Sequence, residues 1–111
     1  MPLVAISAPI VTKTVTIADG ASLSGASADV KQKTLCGVVV PSGWTTAAVS
    51  FQVSYDNGTT FVVLWSDTGS EYSIAAVVAS RYVAVDPTVF LGVPNVKIQS
   101  GTSAATVNQA G

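Results

Sequence analysis

Six carboxylates (Asp19, Asp29, Asp56, Asp67, Glu71 and Asp86) and one thiol, Cys36, are the groups in this chain that could do chemistry, and no histidine stands beside them. Two carboxylates facing each other across a cleft could hydrolyse a glycoside. A thiol needs a base or a cation to become a nucleophile, and the chain has no histidine to serve Cys36 as that base. Asp19, Asp56 and Asp67 stand beside Gly, Asn or Thr in turn-like contexts, where such side chains hold local backbone. Asp67 and Glu71 lie four apart across a Gly-Ser loop and could offer oxygens to Ca²⁺. They lack the ordered oxygen positions of a dedicated loop, so solvated carboxylates are the expectation. Missing histidine also removes the common imidazole base and metal ligand. The expectation is a non-enzyme with no cofactor and no metal; a small hydrolase would need Asp56, Asp67 and Glu71 to cluster.

Aromatic side chains are the better basis for binding. Trp44, Trp65, Tyr55, Tyr72 and Tyr82 could stack on sugar rings if exposed. Against this, Phe51, Phe61 and Trp65 are expected to pack as the core of a hairpin. Trp44 follows a Pro-Ser-Gly turn and is the first choice for an exposed or interface aromatic. Trp44, Tyr55 and Tyr72 are the candidate ligand-stacking set.

The elements that must position these residues are strands. Val49, Phe51, Val53 and Tyr55 alternate with Ser50, Gln52 and Ser54, the period of a half-buried strand. Asn57-Gly58 then suits the positive φ angles of a type I′ turn, and 60–65 resumes β composition. Val11–Ile17 also alternates, while 34–40 is a continuous apolar run that reads as a strand buried on both faces, Cys36 included. Further strands are expected at Glu71–Ile74, Arg81–Val85 and Asn95–Ser100, with a compact turn begun after Asp86 and stopped by Gly92. The stretch 21–33 reads as a loop with at most a short strand, and 75–79 has no decisive period. The pattern predicts an all-β fold, an antiparallel β-sandwich, jelly-roll-like, of about seven or eight short strands. Residues 1–10 would be an N-terminal arm, 11–100 the domain, and 101–111 a C-terminal tail or edge segment.

At 111 residues the chain fits one domain. It is 49% hydrophobic and 10% charged, against about 25% charged in ordinary domains. A surface so poor in charge is expected to be covered by partners. A net charge of −1, with five scattered basic residues, gives no field for nucleic acid. No stretch approaches the ~20 apolar residues of a membrane span. The start, Met1-Pro2-Leu3-Val4, carries no basic signal-peptide region, and a lone cysteine fits synthesis in a host cytoplasm.

Segments across Ile17–Gln109 resemble a family of small bacteriophage virion proteins. They are Ala21-Ser22-Leu23-Ser24-Gly25, the stretch from Cys36 to Trp44, Phe51-Gln52-Val53-Ser54-Tyr55-Asp56-Asn57-Gly58, Glu71-Tyr72, 81–87 and 97–103. The resemblance implies a capsid decoration or cement protein on the outer capsid surface, partnered by the major capsid protein and by further copies of itself. A trimer at local threefold positions is one such arrangement. The alternative it implies is a tail, fibre or baseplate component; the Phe-Gln-x-Ser-x-Asp-x-Gly segment is also similar to discoidin-like sandwiches in receptor-binding proteins, which would recognise glycans. Val4, Ile6, Ile10 and Trp44 are the expected interface residues, with 4–11, interrupted by Pro9, reaching onto a neighbour. Members of that family continue past Asn108-Gln109 into another hydrophobic strand. Its lack here implies either an incomplete polypeptide or an open sheet edge.

Overall fold

The computed structural model describes residues 14–25, 27–30 and 34–109. They form an all-β structure of seven strands in antiparallel sheets: β1 Ala28–Asp29, β2 Gly37–Val40, β3 Ala47–Ser54, β4 Phe61–Val63, β5 Ser73–Val77, β6 Arg81–Ala84 and β7 Asn95–Ser100. One 3₁₀ turn, Pro87–Phe90, interrupts them.

The longest alternating segment becomes the central strand, β3. Its last six residues, Val49 to Ser54, pair with β7 on one edge. The other edge is shared by β4, opposite Gln52–Ser54, and β5, opposite Ala47–Ser50. The far edge of β7 is covered by β1 and by a bridge from Leu23 to Gln99. β2 and β6 form a separate two-stranded ribbon. Val38, Val40 and Val85, from the ribbon and the residue that follows it, share one hydrophobic cluster with Val49, Phe51, Leu64 and Val96. That cluster joins the ribbon to the large sheet, and the sheets do not close into a barrel.

An aromatic trio anchors the cluster. Phe51 and Phe90 are fully buried, with ring centroids 5.1 Å apart at 80°. Tyr72 completes the set at 5.9 Å from Phe51 and 5.8 Å from Phe90. These are edge-on and tilted geometries that aromatic quadrupoles favour. Phe90 is delivered by the 3₁₀ turn, whose first backbone N–H, that of Thr88, is capped by the Asp86 carboxylate at 3.0 Å. Pro87 fixes the turn's entry because its ring presets φ. The compact turn expected after Asp86 is therefore present.

Several expectations change. Residues 14–17 form no strand, although their exposure alternates; 11–13 lie outside the described residues. The run 34–40 is not buried on both faces, because a two-stranded ribbon has only one face against the core. Val39 is consequently 71% exposed, and Cys36 is exposed as well. The fifth strand runs over Ser73–Val77, while Glu71 makes only a bridge with Trp65. Its indecisive period has a physical cause. Ala47 pairs with Val77 but Val49 pairs with Ile74, so Ala75 and Ala76 oppose Ala48 alone. This is a β-bulge, and Ala76 takes its left-handed position at φ 54°.

The described part of the expected tail folds back. Gly101, at φ 82°, reverses the chain and pairs with Thr106. The side chain of Gln109, 7% exposed, then donates from Nε2 to the Thr45 carbonyl (3.0 Å) and to Ser100 Oγ (2.7 Å), and its Oε1 accepts from Thr45 N–H (2.7 Å).

Candidate functional site

Of the sequence candidates, Trp44, Tyr55 and Tyr72 lie among the described residues. Val4, Ile6 and Ile10 lie outside the described residues. Trp44 is half-buried rather than exposed, packed against the core with its indole N–H donated to the Val77 carbonyl at 3.1 Å. The turn before it tips the ring inward, where that carbonyl is available. Tyr72 is no stacking platform either, since its ring belongs to the aromatic trio and its hydroxyl accepts from Asp86 N–H at 3.0 Å. Tyr55 alone of the stacking set is freely presented, at 73% exposure.

Three carboxylates are engaged by nearby hydroxyls and amides. Asp56 Oδ1 accepts from Thr60 N–H and Ser54 Oγ, both at 2.8 Å, holding the loop between β3 and β4. Those bonds, the Thr60 N–H first and Ser54 second, hold its pKa below the ordinary value. The Thr88 hydroxyl and then the Thr88 N–H do the same for Asp86. Glu71 is occupied by Ser103, whose hydroxyl donates at 2.8 Å and whose N–H lies 3.1 Å from both carboxylate oxygens. Among the described residues no group of three or more His, Cys, Asp or Glu side chains could hold a metal.

Two other surfaces emerge. The first is the outer face of the β2–β6 ribbon. Val39 and Tyr82 are direct cross-strand partners, 71% and 65% exposed. Tyr82 also covers Gly37, since a Cβ there would overlap the phenol ring. Its hydroxyl pKa is pushed up by the negative charge of the neighbouring Cys36 sulfur and by a hydrogen bond to it. Gly37 thus lets an aromatic ring lie flat on a strand that has no covering layer. The second surface is at β4. Ser54 pairs with Phe61, so Phe61, Val63 and Trp65 point to the face opposite Phe51. Lys97 Nζ sits 4.6 Å over the Phe61 ring, an attraction between cation and π-face. Trp65 is 60% exposed, not core, and a hydroxyl cluster follows it, with Ser66 Oγ and Thr68 Oγ1 2.6 Å apart.

Beside the ribbon runs an open groove of about 350 Å³, lined mainly by Val15, Ile17, Val38, Val40, Trp44 and Ile98. Sequence reading missed it because the groove depends on how residues 14–18 lie against β2, which no local pattern encodes.

Comparison with known proteins adds no relative: no family model, curated protein or solved structure matches this chain.

Proposed function

We propose that this chain is a non-enzymatic structural protein of a bacteriophage virion: a jelly-roll-like sandwich that decorates the outer capsid surface and stabilises the shell. The observation that carries the reading is the Val39–Tyr82 pair on the ribbon's outer face. Two large side chains, Val39 and Tyr82, stand there exposed side by side on a chain with 10% charged residues, an arrangement that suits burial against a partner. The phage-like segments named above supply the kind of partner, the major capsid protein. A specific contact would bury ~800 Å² per partner, and repetition over a lattice would multiply weak contacts through avidity.

Co-sedimentation of the purified chain with phage particles tests this. The wild-type chain is expected to pellet with the particles. Val39→Asp, which places a charge on an exposed position without touching the core, is expected to weaken binding about tenfold or more, equivalent to ~1.4 kcal/mol. No binding by the wild type, or unchanged binding by Val39→Asp, overturns the reading.

A second reading rests on Trp65. An exposed indole beside the Ser66–Ser70 hydroxyls suits a sugar ring, as a host-recognition module on a tail or fibre would require. Glycan-array binding that disappears in Trp65→Ala would favour it.

A further inference from the structure

We propose that the groove beside β2 receives the N-terminal segment of a second copy of this chain, added as an extra strand to the free edge of the ribbon. The inference deepens the assembly reading by naming the partner and the site.

Edge geometry is the first observation. The Val85 N–H donates to the Cys36 carbonyl at 3.1 Å, which makes Cys36 and Val85 a hydrogen-bonded antiparallel pair. Alternation along the ladder then turns the Val38 peptide groups toward β6 and those of Val39 toward the opposite edge. Among the described residues no strand or bridge pairs with that edge. An open strand edge beside an apolar groove is the arrangement used for strand addition, in which backbone bonds supply affinity and side-chain pockets supply specificity.

Sequence supplies the occupant. In residues 1–13, Val4, Ile6, Ala8 and Ile10 fall at every second position, so an extended segment would present one continuous apolar face. That face matches a groove walled by Val15, Ile17, Val38, Val40 and Ile98. Lys13 is the only charged side chain in the segment, so insertion would bury no charge along 3–10. Pro9 lies at an odd position, and in a strand added parallel to β2 with its even side chains in the groove the odd residues turn their backbone groups away from β2, so the missing N–H costs no ladder bond.

The choice of a second copy over the chain's own segment follows from turn chemistry. Residue 15 already lines the groove, so the same chain would have to reverse within Val11-Thr12-Lys13-Thr14 to lie beside it. A tight reversal needs residues that take positive φ, chiefly Gly, Asn or Asp. This stretch has none and is β-branched at three of its four positions. An extended strand leaving its own subunit and entering the next fits those residues.

The test combines sedimentation velocity of the full chain with peptide binding. The full chain is expected to self-associate, and a chain lacking residues 1–10 to be monomeric with an unchanged near-ultraviolet CD spectrum. A labelled peptide of residues 1–13 is expected to bind the shortened chain saturably, and its Ile6→Asp form about tenfold more weakly or not at all. Self-association that survives the deletion, a monomeric full chain, or equal binding of the two peptides overturns the proposal. Particle binding is scored separately. Particle binding without self-association would remove the exchanged strand and leave the decoration reading standing; self-association without particle binding would do the reverse.

Discussion

Gln109→Ala is expected to destabilise the fold by about 2–2.5 kcal/mol, through bonds that join the end of the described chain to Thr45 and Ser100. The wild-type amide makes three hydrogen bonds, at 2.7, 3.0 and 2.7 Å. Ser100 is fully buried, so loss of its bond from Nε2 is placed near the upper end of the usual range, about 1–1.5 kcal/mol. Thr45 is exposed, and water can replace both of its bonds, so each is placed near about 0.5 kcal/mol. Urea denaturation followed by tryptophan fluorescence measures the sum. With an m-value of about 1–1.5 kcal/mol/M for a domain of this size, the midpoint should fall by about 1.3–2.5 M with the slope unchanged. The exposed neighbour Asn108 is the control, and Asn108→Ala should stay within about 0.5 kcal/mol of wild type. A Gln109→Ala shift no larger than the control's would refute the reasoning, because the three side-chain bonds would then add nothing to the fold.

Three further outcomes are expected. Ala76 holds a left-handed conformation at φ 54° in the β5 bulge, which costs an L-residue about 1–2 kcal/mol. Ala76→Gly should therefore raise stability by about 0.5–1 kcal/mol after glycine's own entropic cost, and a lower urea midpoint would contradict that. Asp56 and Asp86 have folded pKa values depressed below 3.8 by their Thr60, Ser54 and Thr88 bonds; the stability they lend is complete above the unfolded carboxylate value and disappears as pH falls through the depressed values. NMR titration of the Thr60 and Thr88 amides should show midpoints below 3.8, and midpoints above it would show that the loop bonds do not form. Tyr82 is raised above 10.0 by Cys36, so its contribution is present below the unfolded tyrosine value and lost as pH rises through the folded one. Absorbance titration of Cys36→Ala should bring one tyrosine back toward the ordinary value; an unchanged curve would separate the two side chains.

Much of the fold was legible where one local signal sufficed. Asn95–Ser100 emerged with its expected bounds, and the β3 alternation placed Val49 and Phe51 on the core face. Asn57 and Gly58 both have positive φ, at 62° and 94°, as their types suggested. The paired ladder nevertheless ends at Ser54 and Phe61, and the six residues between are held by Ser54 and Asp56 side chains. Even the placement of Trp65 lay within reach. A turn centred on 57–58 puts Phe61 opposite Ser54, and so assigns Phe61 and Trp65 to the face that Phe51 does not use. Composition pulled the reading toward the core instead, since large aromatics are usually buried.

The remainder was illegible for a different reason. Whether Val39 faces water depends on the ribbon having two strands and no covering layer, which the apolar run 34–40 does not reveal. Trp44 and Tyr72 were drawn inward by the Val77 carbonyl and the Phe90 ring, partners 33 and 18 positions away in sequence. Surfaces made by such long-range pairings carry no local signature.

Cryo-electron microscopy of intact phage particles tests the decoration reading most directly. It should show density for this chain at regular positions over the capsid lattice, with the Val39–Tyr82 face of the ribbon against the shell. Particles whose shells lack the chain, or density confined to the tail, would contradict it.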